Sequence, residues 1–469
     1  MSKKIGYKSL CIFWVLYFVC LILAGCGSEA DERGQSSADG EGNSAGPNGR
    51  KVLTAVVTWP SRSTLERINA FNEKSRTYFV EIKEYEQEGT GGSNEDLQTR
   101  LTLDILSGKG PDLVIWDGAF YSPLIASEKL MENLYDFMEA DEDFRRSDYY
   151  ENILQAFETD GKLYTLPTSF SVETVCGKAE EIGVGRGVTE SWEMGEMIQA
   201  FAHSPHAEWL TLNHSKELAF FTVCSGCLEN FVDWNSGECC FDTPAFVELL
   251  EWSDTFPDQL VLAPDFSYHE TLRSGKVFWE PVIMASPWNV AGQRIQFGDE
   301  DILWPGYPVA DGEKDLGGGV ARPYGECFSI CRNSGNQEGA WEFIKTYLTV
   351  DAQRETTGIP LLRSVSEERI QEALTPEYRL VDGIKQETGR YTVVAEGEAS
   401  VELSCITEED AETYRALVEN TYRSYGNDSG IMEIIMEEAG AYFEKGKDAA
   451  EVASVIQNRV SIYINERLK

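Results

Sequence analysis

The sequence predicts an α/β protein of two domains, and three observations carry that prediction. The chain has 469 residues, more than a single hydrophobic core ordinarily serves. From Lys51 onward, β-branched runs alternate with amphipathic helices over short links, which is the pattern of a parallel sheet covered by helices. Hydrophobic residues make up 42% and charged residues 25%, the balance of a folded globular chain.

The N-terminus reads as an address rather than as fold. Lys3, Lys4 and Lys8 precede an apolar run from Cys11 to Leu23. That run is short for a membrane span and has the flanks of a secretory signal. It ends Leu23-Ala24-Gly25-Cys26, which resembles the bacterial lipobox. The resemblance implies that residues 1–25 are removed and that Cys26 carries a diacylglycerol. Residues 26–50 are rich in Gly, Ser, Asp and Glu and cannot bury a core, so they read as a flexible tether.

The folded part then proceeds in order. Lys51–Trp59 (KVLTAVVTW) reads as a buried strand. Pro60 and Ser61 break it, and Ser63 is placed to cap a helix over 64–74 with Leu65, Ile68 and Phe71 on one face. Tyr78–Tyr85 alternates as a second strand. A Gly-rich loop at 89–93 precedes a helix over 94–107, and the turn at 108–110 feeds an apolar strand over 111–116.

These residues and several beyond them bring a family into view. The run SGKGPDLVIWDG is similar to a segment of extracellular solute-binding proteins of the family 1 sugar-binding type. Asp160-Gly161-Lys162-Leu163-Tyr164-Thr165-Leu166-Pro167 resembles a second landmark of that family, with Thr165 where glycine is usual. Phe241-Asp242-Thr243-Pro244 resembles its helix start, and Pro244 suits a first helical turn. Gly339–Lys345 (GAWEFIK) and Thr357-Gly358-Ile359-Pro360 resemble two more, in the family's order. The resemblance implies a type II periplasmic-binding-protein-like fold, two α/β lobes joined by a hinge with a ligand cleft between them. Lobe one is expected at 51–165 plus about 320–365. Lobe two is expected at 166–319 plus about 366–469, including the C-terminal helices. It also implies a monomer at the extracellular face of the membrane that captures a small solute, a carbohydrate above all, for the transmembrane permease subunits of an ABC importer. Membrane contact is expected through the lipid anchor only.

In open α/β sheets, ligands bind outside the carboxyl ends of the strands. Trp59 ends the first strand, and Trp116 with Asp117 end the third. An indole face suits the C–H face of a sugar, while a carboxylate orients hydroxyls. Trp288 and Asn289 follow the apolar run 277–285, and Tyr307 and Tyr324 flank Gly317-Gly318-Gly319. These seven residues are the candidate ligand contacts. That glycine run permits close backbone approach to a ligand or a hinge bend. An arginine clamp at Arg62 or Arg322 leaves a peptide or amino-acid ligand open as an alternative.

Other chemistries are weaker. A formal net charge of −39 repels phosphate backbones and disfavours nucleic acid. No HExxH is present, and no G-x-S-x-G elbow, since the match at Gly42–Gly46 lies in the tether and not between a strand and a helix; the glycine run lacks the basic residue and hydroxyl of a phosphate loop. His203-x-x-His206 with His214 is interrupted by Ser204-Pro205, so no metal or other cofactor is expected, and no catalysis. Eight cysteines remain beyond Cys26. For Cys224, Cys227, Cys239 and Cys240, disulfides, free thiols and a zinc site all stay open.

Overall fold

The computed structural model describes residues 46–83, 94–118, 129–183, 190–212, 215–259, 266–298, 301–313, 317–381, 384–393, 400–426 and 428–468. The signal segment, Cys26, most of the tether, the Gly-rich loop and His214 lie outside these.

Fifteen strands appear among the described residues. The first nine are β1 (Lys51–Val57), β2 (Tyr78–Ile82), β3 (Leu113–Asp117), β4 (Leu166–Pro167), β5 (Ser169–Lys178), β6 (Glu280–Met284), β7 (Ile302–Leu303), β8 (Val320–Pro323) and β9 (Glu326–Ile330). The rest are β10 (Ile359–Pro360), β11 (Tyr378–Val381), β12 (Ile384–Glu387), β13 (Tyr391–Val393), β14 (Val401–Leu403) and β15 (Arg423–Ser424). They form two main sheets and two separate hairpins, β11–β12 and β13–β14.

The first sheet has the order β2-β1-β3-β9-β4. β1 runs parallel to β2 and β3, while β9 runs antiparallel to β3, with Asp117 opposite Glu326. β4 is antiparallel to β9, with Pro167 opposite Cys327. The carboxyl ends of β1, β3 and β4 therefore lie together, beside the start of β9. The covering helix spans Arg62–Lys74, two residues longer at its start than the sequence suggests, because Ser61 and not Ser63 caps it: the Thr64 N–H donates to Ser61 Oγ at 3.1 Å. Its buried face is Thr64, Ile68 and Phe71, while Leu65 is exposed. An i, i+4, i+7 stripe leaves residue i+1 about 100° round the helix. Phe71 meets Phe343 edge-on at 5.2 Å, and Phe328 lies 4.6 Å from Tyr347, which ties the helix Gln337–Leu348 to the same core.

The second sheet is built around β5. β8 and β6 pair with it antiparallel, β10 adds two residues, β7 pairs near its far end, and β15 runs parallel to β8. β6, β8 and β15 thus send their carboxyl ends toward the start of β5. Trp192, Phe278 and Trp279 fill its core, and the C-terminal helices Ser429–Phe443 and Ala449–Leu468 close it with Ile431, Ile435, Val452, Ile456 and Val460. The glycine run serves this packing. A side chain at Gly306 would stand 2.1 Å from the Gly318 backbone, and one at Gly317 would stand 2.1 Å from the Asn420 carbonyl oxygen.

The chain passes between the sheets three times among the described residues, and two of these passages are adjacent. β4 leads through Thr168 into β5, and β8 leads through Tyr324-Gly325 into β9. The two crossings are bonded to each other: Thr168 N–H donates to Glu326 O at 3.2 Å, and Tyr324 N–H donates to Ser169 O at 3.0 Å. The fully buried Gln353 donates to Thr168 O at 2.8 Å and accepts from Leu362 N–H at 3.1 Å, which fixes a third segment there. Residues 320–323 and 359–360, expected with the first lobe, pair in the second sheet; only the stretch between them belongs with the first.

Candidate functional site

The two sheets present their strand ends at one junction. From the first sheet come Thr58 and Trp59 after β1, and Asp117 and Gly118 at the end of β3. Thr58 Oγ1 accepts from Asp117 N–H at 2.8 Å, which locks these two ends together. Gly118 N–H donates to Gly325 O at 2.7 Å, and a Cβ there would stand 2.5 Å from Pro323 O, so only glycine permits this approach. Trp59 is 63% exposed and Tyr324 38% exposed, so both offer ring faces to solvent at the junction. Gly358 makes room for Tyr324, because a Cβ at 358 would stand 2.7 Å from its ring.

From the second sheet come Arg322, Tyr425 and the segment after β6. Arg322 Nη1 donates to Glu173 Oε1 at 2.9 Å, and its guanidinium lies 5.3 Å from the Tyr425 ring centroid. Burial pushes the Tyr425 hydroxyl well above the usual phenol range. Pro287 opens the helix Pro287–Gln296, and Asn289 completes its capping box, accepting through Oδ1 from the Ser286 N–H at 2.9 Å and the Ala285 N–H at 3.0 Å. Trp288 is half-buried: Tyr391 of β13 stacks on it at 5.7 Å and 19°, and Arg390 lies 5.6 Å over its ring.

Of the seven contacts expected from sequence, the structure brings Trp59, Asp117 and Tyr324 to the junction. Trp288 and Asn289 follow a strand end that points there, but the hairpin and the cap already engage them. Two sit elsewhere. Trp116 is 2% exposed and its indole donates to Ser329 Oγ at 3.0 Å, because β3 is buried on both faces and Trp116 packs with Val56, Val114 and Cys327. Tyr307 is 6% exposed, with Trp279 6.4 Å away and Gly226 beneath its ring.

Sequence reasoning missed Glu173, Ser171, Trp234 and Tyr425. Ser171 stands opposite Arg322 in the β5–β8 register, and opposite residues of an antiparallel pair share a face. Trp234 lies against Gly426, where an added Cβ would be 2.4 Å from its indole nitrogen. Neither Ser171 Oγ nor Trp234 Nε1 has a hydrogen-bond partner. The next residue, Asn235, accepts through Oδ1 from the Asp160 N–H at 3.0 Å, a contact from the segment that precedes β4. The available signal was a tryptophan directly before a polar turn, hidden inside the cysteine-rich stretch.

The cysteines and histidines do not gather there. The eight described cysteines are free thiols. Cys227 Sγ donates to Val223 O, Cys239 faces Ser461, and Cys240 Sγ donates to Asn230 O. Burial pushes the Cys224 thiol up to about 12. Glu180, Glu181 and His206 do come within 4.8 Å of one another. Burial and its hydrogen bonds act on Glu181 in opposite senses. The bonds from Ser204 and from His206, side chain and backbone, prevail and hold it below the usual carboxylate range.

A model of the bacterial extracellular solute-binding proteins matches residues 66–373, well over half of the chain. The chain belongs to that family. Its members bind solutes, and their work lies outside the cytoplasm. No curated protein matches. Solved structures share the two-lobed fold. The sugar-binding protein MalE from the phytopathogen Xanthomonas citri is 14% identical, with 89% of this chain and 98% of that chain covered at a TM-score of 0.50. A periplasmic oligogalacturonide-binding protein from Yersinia enterocolitica is 14% identical over 89% and 100% at 0.51. An extracellular solute-binding protein family 1 from Alicyclobacillus acidocaldarius is 14% identical over 88% and 98% at 0.50. Among its described residues, this solute-binding protein has no helix long and apolar enough to cross a membrane.

Proposed function

We propose that this solute-binding protein captures a carbohydrate for an ABC importer, tethered by lipid on Cys26 at the outer face of the cell membrane. The two lobes swing at Thr168 and Tyr324-Gly325 and close over the strand-end junction. The observation that carries this reading is the junction itself. Exposed Trp59 and Tyr324 supply ring faces beside Asp117, and buried Glu173 with half-buried Arg322 stand opposite. Ring faces with flanking hydrogen-bonding groups suit a sugar, which has an apolar face and a polar rim. MalE of Xanthomonas citri is a sugar-binding protein, and the Yersinia neighbour an oligogalacturonide-binding protein; carbohydrate is the reading those likenesses support. Closure creates the shape that permease subunits would recognise.

Calorimetry of the full chain in detergent against an oligosaccharide panel tests this. One member should bind at micromolar affinity or tighter, about −8 kcal/mol. At a hundredfold excess over Kd it should stabilise the fold by about 2.7 kcal/mol. Trp59→Ala should weaken that affinity about tenfold or more without lowering Tm. Flat heats for every carbohydrate, with heat for a peptide, would overturn the reading. Labelling with radioactive palmitate tests the anchor, and Cys26→Ser should abolish incorporation.

A further inference from the structure

This inference rests on the carbohydrate reading above and narrows its ligand class. We propose that the junction takes an uncharged oligosaccharide and rejects its acidic counterparts, because the arginine at the strand ends is already neutralised from within the protein.

Arg322 is the next-to-last residue of β8, one step before the crossing. Its partner Glu173 lies on the same face of β5, two residues beyond Ser171. Nη1 of Arg322 meets Glu173 Oε1 at 2.9 Å, with the two side chains 30% and 10% exposed. From the first sheet, Asp117 adds a second attraction on the same guanidinium, and Glu326 stands beside Asp117 in register. A ligand carboxylate would have to share the guanidinium with Glu173 or displace it. Displacement leaves a buried carboxylate without its partner, which is costly. Sharing brings a third negative group toward Asp117 and Glu173, which repel it.

Arg62 offers no alternative anchor. Its side chain is almost fully exposed and already meets Glu66 at 2.8 Å, and an exposed pair of this kind contributes little. Two unmatched groups beside this pair are neutral. Ser171 Oγ and Trp234 Nε1 are buried without partners among the described residues, and a buried donor left unpaired is costly. A sugar hydroxyl both donates and accepts, so it satisfies either one without bringing charge.

The test is calorimetry on the full chain in detergent at low salt, using matched oligosaccharide sets. Galactan, cellulose and chitin oligosaccharides are each compared with their uronate or deacetylated, amino-bearing counterparts. The expected result is a neutral member that binds at least about tenfold tighter than its uronate form, with a gap that narrows as salt is added. Glu173→Gln should release Arg322 and raise the uronate-to-neutral affinity ratio at least about tenfold. Asp117→Asn should shift the ratio in the same direction by less, and it serves if Glu173→Gln loses its near-UV circular dichroism. A wild-type preference for the uronate or the amino-bearing form overturns this inference and leaves the carbohydrate reading standing. So does an unchanged ratio in the folded variants. Binding to no member of any charge removes the carbohydrate reading, and this inference with it.

Discussion

The two sheets of this solute-binding protein reach the same junction by opposite routes. Three of the five strands in the first sheet come from residues 51–117, and they pair in parallel across short links. The second sheet is collected from β5, β6, β7, β8, β10 and β15, which span residues 169–424. Most of its strands are short, so side-chain pairs between distant segments carry much of its cohesion. The β2-β1-β3 half of the first sheet is specified locally and the second sheet by long-range contacts, which are slower and costlier to assemble.

The sharpest way to break this comparison is to remove one of those long-range pairs. Arg423 of β15 is buried and ion-paired with Glu229, and it also donates to Tyr307 O at 3.4 Å. Arg423→Met leaves the half-buried Glu229 carboxylate without its ion-pair partner. The expected loss is about 3–5 kcal/mol in urea unfolding. Adding Glu229→Gln should recover most of it, because the uncompensated charge is then gone. A single variant that unfolds with the wild type would show that β15 is not a keystone of the second sheet.

The second test uses pH. Glu280 on β6 stands opposite Cys176, receives the Tyr268 hydroxyl at 3.1 Å through Oε1, and has no partner on Oε2. Burial pushes its carboxyl from the ordinary 4.5 up to about 7. Between those values the folded chain holds a proton that the unfolded chain has released. Stability therefore falls as pH rises from about 4.5 to about 7, and the loss is complete above that. Glu280→Gln should remove this slope. The variant should match the wild type below pH 4.5 and exceed it above pH 7 by up to about 3 kcal/mol. Parallel pH profiles for the two proteins would show that Glu280 ionises as it would in water.

What was legible in the sequence follows the same division. β1, β2, β3 and their helix could be read because β-branched periodicity and short links act over a few residues. Trp59 and Asp117 could be placed because a strand end is a local fact. Trp116 was misplaced because β3 is buried on both faces. Glu173, Tyr425 and Trp234 were not legible, since only a register linking residues 173, 322 and 425 makes them neighbours. The Trp288–Tyr391 stack was hidden in the same way, by a hairpin that lies beyond the family-matched residues.

A third change acts where the sheets meet. Gly118→Ala puts a methyl 2.5 Å from Pro323 O, a backbone atom that cannot rotate away. The crossing must shift, at a cost of about 1–3 kcal/mol in thermal unfolding. Ligand affinity should fall as well, because Gly325 and Tyr324 move with the strand. A loss of stability without any loss of affinity would separate the hinge from the site.

The smallest change probes the locally specified half. Ser61 Oγ accepts from Thr64 N–H at 3.1 Å, and it also lies 2.8 Å from Ser63 Oγ and 2.7 Å from Thr64 Oγ1. Ser61→Ala removes the cap of the helix Arg62–Lys74 and should cost about 1 kcal/mol. The effect should stay small because no buried charge is exposed and the rest of the helix keeps its Ile68 and Phe71 contacts. Thr64 Oγ1 donates onward to Glu326 Oε1 at 2.6 Å, however, so the cap touches the junction through one further link. If Ser61→Ala costs about 1 kcal/mol and leaves ligand affinity intact, the cap is only a helix end. If affinity falls with it, Thr64 carries the cap into the site, and even the locally specified half is coupled to its partner through Glu326.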